Sequence, residues 1–290
     1  MNYFSKRELD RVRELEHVCR TTDGSSLRVG VESLKAEGGD EAHLCLLGGQ
    51  LIGFLSWYTS DGTEANVNGM VHPGYRRRGV WRSLLRHGGS EMEAQGIRTC
   101  RVRVPADSEP GTAYMRHLGA EFREAEYVMA LGRLQTAEAS RQGLRLRLAG
   151  ERDWPFIIAC SSLAFGDSES WTREYFARTR EPGRDAYVVF DRGDAPIGLI
   201  RVNHVERGTG VIHDFCVLPS CQGRGYGREI LELTVRRLLE QGCDRIRLNV
   251  VTDNGRALGL YRSVGFEVQA EFHYYGIGLD RLAGDRAELE

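Results

Sequence analysis

The sequence predicts an α/β protein in which a mixed β-sheet flanked by helices occurs twice. Three observations predict it. A glycine-rich turn between a strand and an amphipathic helix appears in each half of the 290-residue chain, its landmarks recur at one spacing, and strands and helices follow one order in both halves. A repeat of this length has the size of a domain rather than of a solenoid unit.

The spacing between the two copies is 146 positions, as from Val71 to Val217. The same offset relates Pro73 to Pro219, Gly79 to Gly225, Gly96 to Gly242 and Gly119 to Gly265. One long α/β domain with two unrelated turns is the alternative, but it leaves this common spacing unexplained. We therefore expect domains at residues 1–134 and 144–290, joined by the polar segment Gln135–Gly143.

Periodicity predicts the elements of each half. The first half offers helices at Lys6–Arg20, Val80–Gln95 and Ala113–Leu118, and strands at His43–Leu47, Leu51–Tyr58, Glu64–Val71, Thr99–Val104 and Glu126–Leu131. The second half offers strands at Leu144–Leu148, Ala186–Phe190, Ile197–Val205, Val211–Leu218, Arg245–Val251 and Val268–Leu279, and helices at Trp154–Phe165, Ser170–Arg180, Gly225–Glu240 and Arg256–Val264. Ser170 is a candidate N-cap for its helix.

Composition narrows the function classes. A formal net charge of −2 gives no general drive towards nucleic acid or an acidic membrane surface. No apolar run is long enough to span a bilayer, and the N-terminus lacks a signal-peptide pattern. Seven dispersed cysteines without a Cys-x-x-Cys pair favour reduced thiols over disulfides or a zinc site. We expect a cytoplasmic protein without a metal, a nucleic-acid partner or a membrane partner, and make no prediction of oligomeric state.

The second glycine-rich turn has the features of an anion site. Gly223, Gly225 and Gly227 stand at alternate positions between a strand and a helix. Glycine tolerates positive φ and lets a ligand approach the backbone closely. Successive free N–H groups at a helix start, together with the helix dipole, suit a pyrophosphate. Arg224 and Arg228 would add positive charge.

Two motifs of the second half resemble those of the GNAT superfamily of N-acetyltransferases. Gln222-Gly-Arg-Gly-Tyr-Gly227 matches the Gln/Arg-x-x-Gly-x-Gly/Ala loop, and Asn254-x-x-Ala257-x-x-Leu260-Tyr261-x-x-x-Gly265-Phe266 matches the downstream helix motif. The resemblance covers residues 144–279. It implies a twisted mixed sheet that is splayed around the middle, with the thioester of acetyl-CoA entering the splay and CoA leaving as product.

The resemblance also implies which residues hold acetyl-CoA. Strand backbone would pair with pantetheine, the loop would hold pyrophosphate, and the downstream helix would complete the site. The predicted residues are Phe215, Cys216, Val217, Gln222, Gly223, Arg224, Gly225, Tyr226, Gly227, Arg228, Asn254 and Tyr261. A backbone N–H near Val217 is the candidate donor to the thioester carbonyl.

Acyl transfer to an amine also needs an acid and a base. Tyr261 is the candidate acid, because a phenol with an ordinary pKa near 10 is protonated at neutral pH. Asp214 is the preferred base, since it precedes the acyl site by a few residues. His213, His204 and Asp253 remain alternatives, although strand alternation predicts that His213 points to the face opposite Asp214.

The first half resembles the same family less completely. Its possible second CoA site comprises Val71, Arg76, Arg77, Arg78, Gly79 and Val80. Trp81, Ser108 and Met115 stand where the second copy has Gly227, Asn254 and Tyr261. Tyr114 is one residue off, which on a helix turns it about 100° away. We expect a degenerate first domain and a catalytic second domain.

Two functions follow from these residues. The first is acetyl transfer from acetyl-CoA to a primary amine of a small molecule or peptide, by direct attack. The alternative is a non-catalytic acyl-CoA sensor or interaction module. The motif around Tyr261 favours the enzyme, since the fold alone does not fix function.

Overall fold

The computed structural model describes residues 4–25, 27, 29, 34, 41–59, 62–136, 143–251 and 255–284. The chain forms two compact units, and the domain bounds 1–134 and 144–290 stay a prediction. The first unit is Met1–Glu126 together with Ala270–Glu290, and the second is Tyr127–Gln269. Most of the predicted linker, residues 137–142, lies outside the described residues.

The elements follow the predicted order closely. The helices are α1 (Lys6–Asp23), α2 (Val80–Ala94), α3 (Glu109–His117), α4 (Trp154–Phe165), α5 (Glu169–Arg178), α6 (Tyr226–Glu240), α7 (Gly255–Val264) and α8 (Leu279–Gly284). The strands are β1 (Glu41–Leu47), β2 (Gln50–Tyr58), β3 (Glu64–Val71), β4 (Thr99–Pro105), β5 (Glu121–Leu131), β6 (Arg145–Leu148), β7 (Arg184–Phe190), β8 (Pro196–Glu206), β9 (Thr209–Val217), β10 (Arg245–Val251) and β11 (Phe266–Gly278).

The first unit is a mixed sheet with helices on both faces. Its strands lie in the order β1, β2, β3, β4 and the C-terminal part of β11. Only β3 and β4 pair in parallel among the pairs described here. One face packs against α1 through Leu9, Val12 and Leu15, and another core cluster includes Leu84 and Leu85 of α2.

The unit boundary near residue 270 has a hydrogen-bonding cause. Phe272–Gly278 of β11 pairs antiparallel with Thr99–Pro105 of β4. The end of the chain therefore completes the sheet of the first unit, which sequence periodicity did not predict.

The second unit repeats the architecture, with strands in the order β10, β9, β8, β7 and β6. One face of its sheet packs against α6 through Ile230, Leu231 and Val235. The other packs against α4 and α5 through Ile157 and Phe176.

Two local features complete the comparison with the sequence. Helix α5 is capped by Ser168, whose hydroxyl accepts from the Trp171 backbone N–H at 3.2 Å, so Ser170 is not the N-cap. All seven cysteines are free thiols. No helix within the described ranges is long and apolar enough to cross a membrane.

Candidate active site

The two glycine-rich turns have one backbone conformation. Gly223 and Gly225 have φ of 75° and 82°, and the corresponding Arg77 and Gly79 have φ of 59° and 76°. These left-handed positions favour glycine. No described side chain caps the helix that follows either turn. The first amides of α6 and α2 are therefore available to an anionic ligand.

Each turn is held to its preceding strand by a side-chain hydrogen bond to a backbone carbonyl. Gln222 donates from Nε2 to the Val217 carbonyl at 3.0 Å, and Arg76 donates from Nε to the Val71 carbonyl at 3.1 Å. Arg76 also forms a two-bond ion pair with Asp23 of α1, at 2.7 and 2.6 Å. Gln222 and Arg76 thus position the turns, a role that their sequence match did not specify.

The other predicted loop residues lie at the edge of the turn. Arg224 donates to the Ser220 carbonyl at 3.1 Å, and Arg228 pairs with Glu232 at 3.0 Å. Tyr226 packs against the core under α6. Asn254 lies outside the described residues, so its predicted contact with acetyl-CoA stays a prediction.

Strand β9 separates from β10 about halfway along its length. It pairs with β10 from Thr209 to Ile212, whereas β9 itself continues to Val217. On its other side, Leu199 pairs with Cys216 and Arg201 with His213, so two residues of β9 face one residue of β8. This is a β-bulge at Asp214–Phe215, and Asp214 has a φ of 45°.

The first unit lacks the corresponding bulge. Its β2 and β3 pair without a register shift from Gly53–Tyr58 to Asn66–Val71, all of which are described. A bulge adds one residue to one strand, re-aims side chains and releases backbone groups from the ladder. The two units therefore share the turn but differ in the strand before it.

The divergence of β10 leaves backbone donors of β9 without a strand partner in the described part of the chain. Leu218 donates its N–H to the Ile197 carbonyl of β8 at 2.8 Å. Successive N–H groups of a strand point to opposite edges. The N–H groups of Phe215 and Val217 consequently point to the edge from which β10 has diverged.

Side-chain directions change at the bulge. Phe215 and Val217 contact the cluster under α6, whereas Cys216 belongs to the cluster under α4. His213 Nδ1 lies 2.9 Å from Asp214 Oδ2, so the two side chains meet on one face. The prediction that they point to opposite faces was wrong, because the extra residue interrupts strand alternation.

Asp214 is the centre of a polar cluster. It accepts from Arg201 Nη1 at 2.9 Å and from the Tyr175 hydroxyl at 3.1 Å, in addition to its contact with His213. Burial opposes ionisation, but the hydrogen bond from His213, the charge of a protonated His213 and the charge of Arg201 outweigh it, so the pKa of Asp214 is lowered. A carboxylate with these partners is a weak proton acceptor.

Sequence reasoning missed two members of this cluster. The Arg201 side chain is only 1% exposed, and Arg201 also donates to Thr179. Burial, followed by the Asp214 charge, raises the pKa of Tyr175 to about 12. A single arginine within the apolar run Ile197–Val202 was the available signal, because a buried charge requires a partner.

Tyr261 lies on α7 against the core of the second unit, with its ring edge-on to Phe266 at 6.3 Å between centroids. Burial raises the pKa of Tyr261 to about 12. Its hydroxyl is therefore protonated throughout the neutral range. Met115, at the matching position of the first unit, is buried in an apolar cluster.

The first unit contains a cavity of about 420 Å³ beside its turn. Val71, Arg76, Arg77, Gly79 and Val80 of the possible second CoA site border it, whereas Arg78 lies over the Tyr75 ring. Tyr114 and Met115 also border it. The cavity therefore lies in the first unit, whose motifs match the family less completely and whose β2–β3 pairing has no bulge.

Comparisons with known proteins identify the family. The family model "Acetyltransferase (GNAT) family" matches residues 153–266. A mycothiol acetyltransferase of Thermomonospora curvata is 30% identical over 218 residues, covering 71% of each chain. Another, of Brachybacterium faecium, is 30% identical over 237 residues, covering 75% of this chain and 68% of that protein.

Two solved structures have the same fold over 96% of the chain. A GCN5-related N-acetyltransferase from Sphaerobacter thermophilus has a TM-score of 0.83 at 18% identity and covers 96% of this chain and 95% of its own. A tandem GNAT protein from the clavulanic acid biosynthesis pathway has a TM-score of 0.72 at 18% identity, covering 96% and 97%. The chain belongs to the acetyltransferase (GNAT) family, as an enzyme of tandem architecture that uses acetyl-CoA as acyl donor and releases CoA.

Proposed function

We propose that the second unit transfers the acetyl group of acetyl-CoA to a primary amine. The observation that carries this proposal is the bulge at Asp214–Phe215, next to a turn whose helix start is uncapped. The turn suits the pyrophosphate, and the freed N–H of Phe215 or Val217 would donate to the thioester carbonyl as charge develops on oxygen. The first unit has the turn without the bulge.

Tyr261 is the proposed acid for the leaving sulfur. The buried phenol keeps its proton at neutral pH, and its pKa is raised by burial. The same apolar surroundings also disfavour a thiolate. They therefore raise the pKa of the CoA thiol as well as the pKa of the Tyr261 phenol. Proton donation becomes favourable as the carbon–sulfur bond breaks.

The acceptor is proposed to be a small-molecule amine. Relatives that share 30% identity are named mycothiol acetyltransferases, which makes the unacetylated mycothiol precursor the first acceptor to assay. Spermidine, glucosamine and lysine-containing peptides would represent other amine classes. Acetylation is measured as CoA release together with a mass increase of the acceptor.

The amine panel tests this proposal against the sensor hypothesis. The wild-type protein should acetylate at least one amine in this panel and release one CoA per product. CoA release that is independent of every amine, or acetyl-CoA binding without turnover, would instead support the sensor hypothesis.

We also propose that the first unit binds CoA without turnover. The cavity beside Arg77 and Gly79 supports this role, as does the absence of a bulge in the described part of β3. The measurement is binding stoichiometry by calorimetry, with two sites per chain expected. A single site that is lost in Gly225→Val would contradict the proposal.

A further inference from the structure

The imidazole of His213 has one nitrogen engaged and one without a hydrogen-bond partner among the described residues. Nδ1 lies 2.9 Å from Asp214 Oδ2. Nε2 is buried and has no hydrogen-bond partner among the described residues. Because an ionised carboxylate only accepts, Nδ1 carries a proton in this contact, and in the neutral imidazole Nε2 then presents a lone pair.

The position of His213 on β9 places this residue where the sheet opens. Ile212 is the last β9 residue paired with β10, so His213 is the first residue of the diverging segment. Phe215, whose N–H faces the gap, follows two residues later.

The charged groups around the imidazole fix Asp214 as an anion. Arg201 reaches Asp214 from β8, and the Tyr175 hydroxyl reaches it from α5. On β10, Ile246 and Leu248 pack under α6, so Arg247 between them lies on the same face as His213. These contacts occupy the carboxylate oxygens, which leaves Nε2 as the unengaged basic atom of the cluster.

We propose that His213 is the general base of acetyl transfer and that Asp214 is a positioning residue that holds its tautomer. This inference rests on the proposed amine acetylation. Nε2 takes one proton from the acceptor ammonium, and the neutral amine attacks the thioester carbonyl carbon. The C–N bond forms and the C–S bond breaks. Tyr261 protonates the sulfur, the second amine proton restores the Tyr261 hydroxyl by way of solvent, and the imidazolium then loses its proton to solvent, so that one proton is released for each acetyl group transferred.

The test begins with an amine that the wild-type protein acetylates. Absence of such an amine overturns the proposed function, whereas the outcomes below decide only the role of His213. His213→Gln should lower kcat by about 10²-fold or more, with unchanged acetyl-CoA affinity. His87→Gln is the control, because His87 is an exposed residue of α2 in the first unit.

The pH profile separates a base from a structural histidine. The wild-type rate should reach a plateau once the imidazole is neutral. The His213→Gln rate should keep rising with pH, since only amine that has already lost its proton reacts. Asp214→Asn should lower kcat about 10-fold and retain the plateau, because the imidazole is still present.

Chemical rescue covers the case in which the glutamine variant misfolds. Added imidazole should restore part of the rate of His213→Ala, and should not affect Tyr261→Phe. A His213→Gln enzyme that keeps kcat within about 3-fold and keeps the wild-type plateau would overturn the proposal. A folded His213→Ala enzyme with low activity and no imidazole rescue would overturn it as well.

Discussion

The indole of Trp81 lies directly against the backbone of Gly69. A Cβ atom built on Gly69 would approach Trp81 Cζ3 to 2.2 Å. In the second unit the sizes are exchanged: Phe215 occupies the strand position, and Gly227 the helix position, with a Cβ on Gly227 reaching the Phe215 ring at 3.7 Å. Trp81 therefore packs onto β3. The first unit has a tryptophan where the second unit has Gly227, and its strand has a glycine where the second unit has Phe215.

This exchange predicts coupling between the two positions. Trp81→Gly should destabilise the protein by about 3 kcal/mol through loss of packing, and Gly69→Phe should destabilise it through overlap with the indole. The double variant reproduces the pair of the second unit, so it should be more stable than the sum of the single effects predicts, by about 0.5–3 kcal/mol. Chemical denaturation measures all four proteins. Strict additivity would show that the two side chains do not substitute for each other.

The turn glycines should control coenzyme binding. Gly225 has a φ of 82°, and a valine there would be strained and would crowd the phosphate site. Gly225→Val should remove acetyl-CoA binding by the second unit and abolish turnover. Gly79→Val is the matched variant, because Gly79 has a φ of 76° in the first unit. It should remove one binding site in calorimetry while turnover persists, and loss of turnover in Gly79→Val would place catalysis in the first unit.

Tyr261→Phe should leave acetyl-CoA affinity nearly unchanged. It should lower kcat by about 10² to 10⁴, because the hydroxyl acts mainly when charge develops on sulfur. Steady-state kinetics with a verified amine measures this effect. Met115→Leu is the control at the matching position and conserves volume in the apolar cluster. Full activity of Tyr261→Phe would mean that another group or solvent protonates the thiolate.

The polar cluster should contribute pH-dependent stability. The pKa of Asp214 is lowered in the folded protein, so its contribution is present above the ordinary carboxyl pKa of about 3.9 and is lost as pH falls through the lowered value. Wild type should exceed Asp214→Asn in free energy of unfolding by about 2 kcal/mol at neutral pH, and the gap should close in acid. Asp185→Asn is the more exposed control. A gap that stays constant down to low pH would contradict the assignment.

Several features were predictable because local sequence dictates them. The turn around Gly223 and Gly225 needs left-handed backbone, and the apolar stripe of α6 follows its 3.6-residue period. These features recur at one offset, so the sequence by itself determined the tandem organisation, the glycine-rich turns and the position of Tyr261.

The tertiary structure decided what depends on pairing between distant strands. Register across β8 and β9 creates the bulge that turns His213 and Asp214 to one face, and no local pattern shows an inserted residue. Pairing of β11 with β4 likewise assigns the chain's end to the first unit. The hydrogen-bond register and the ion pair between Arg201 and Asp214 each join two segments of the chain. Periodicity describes one segment at a time, so it does not predict such contacts.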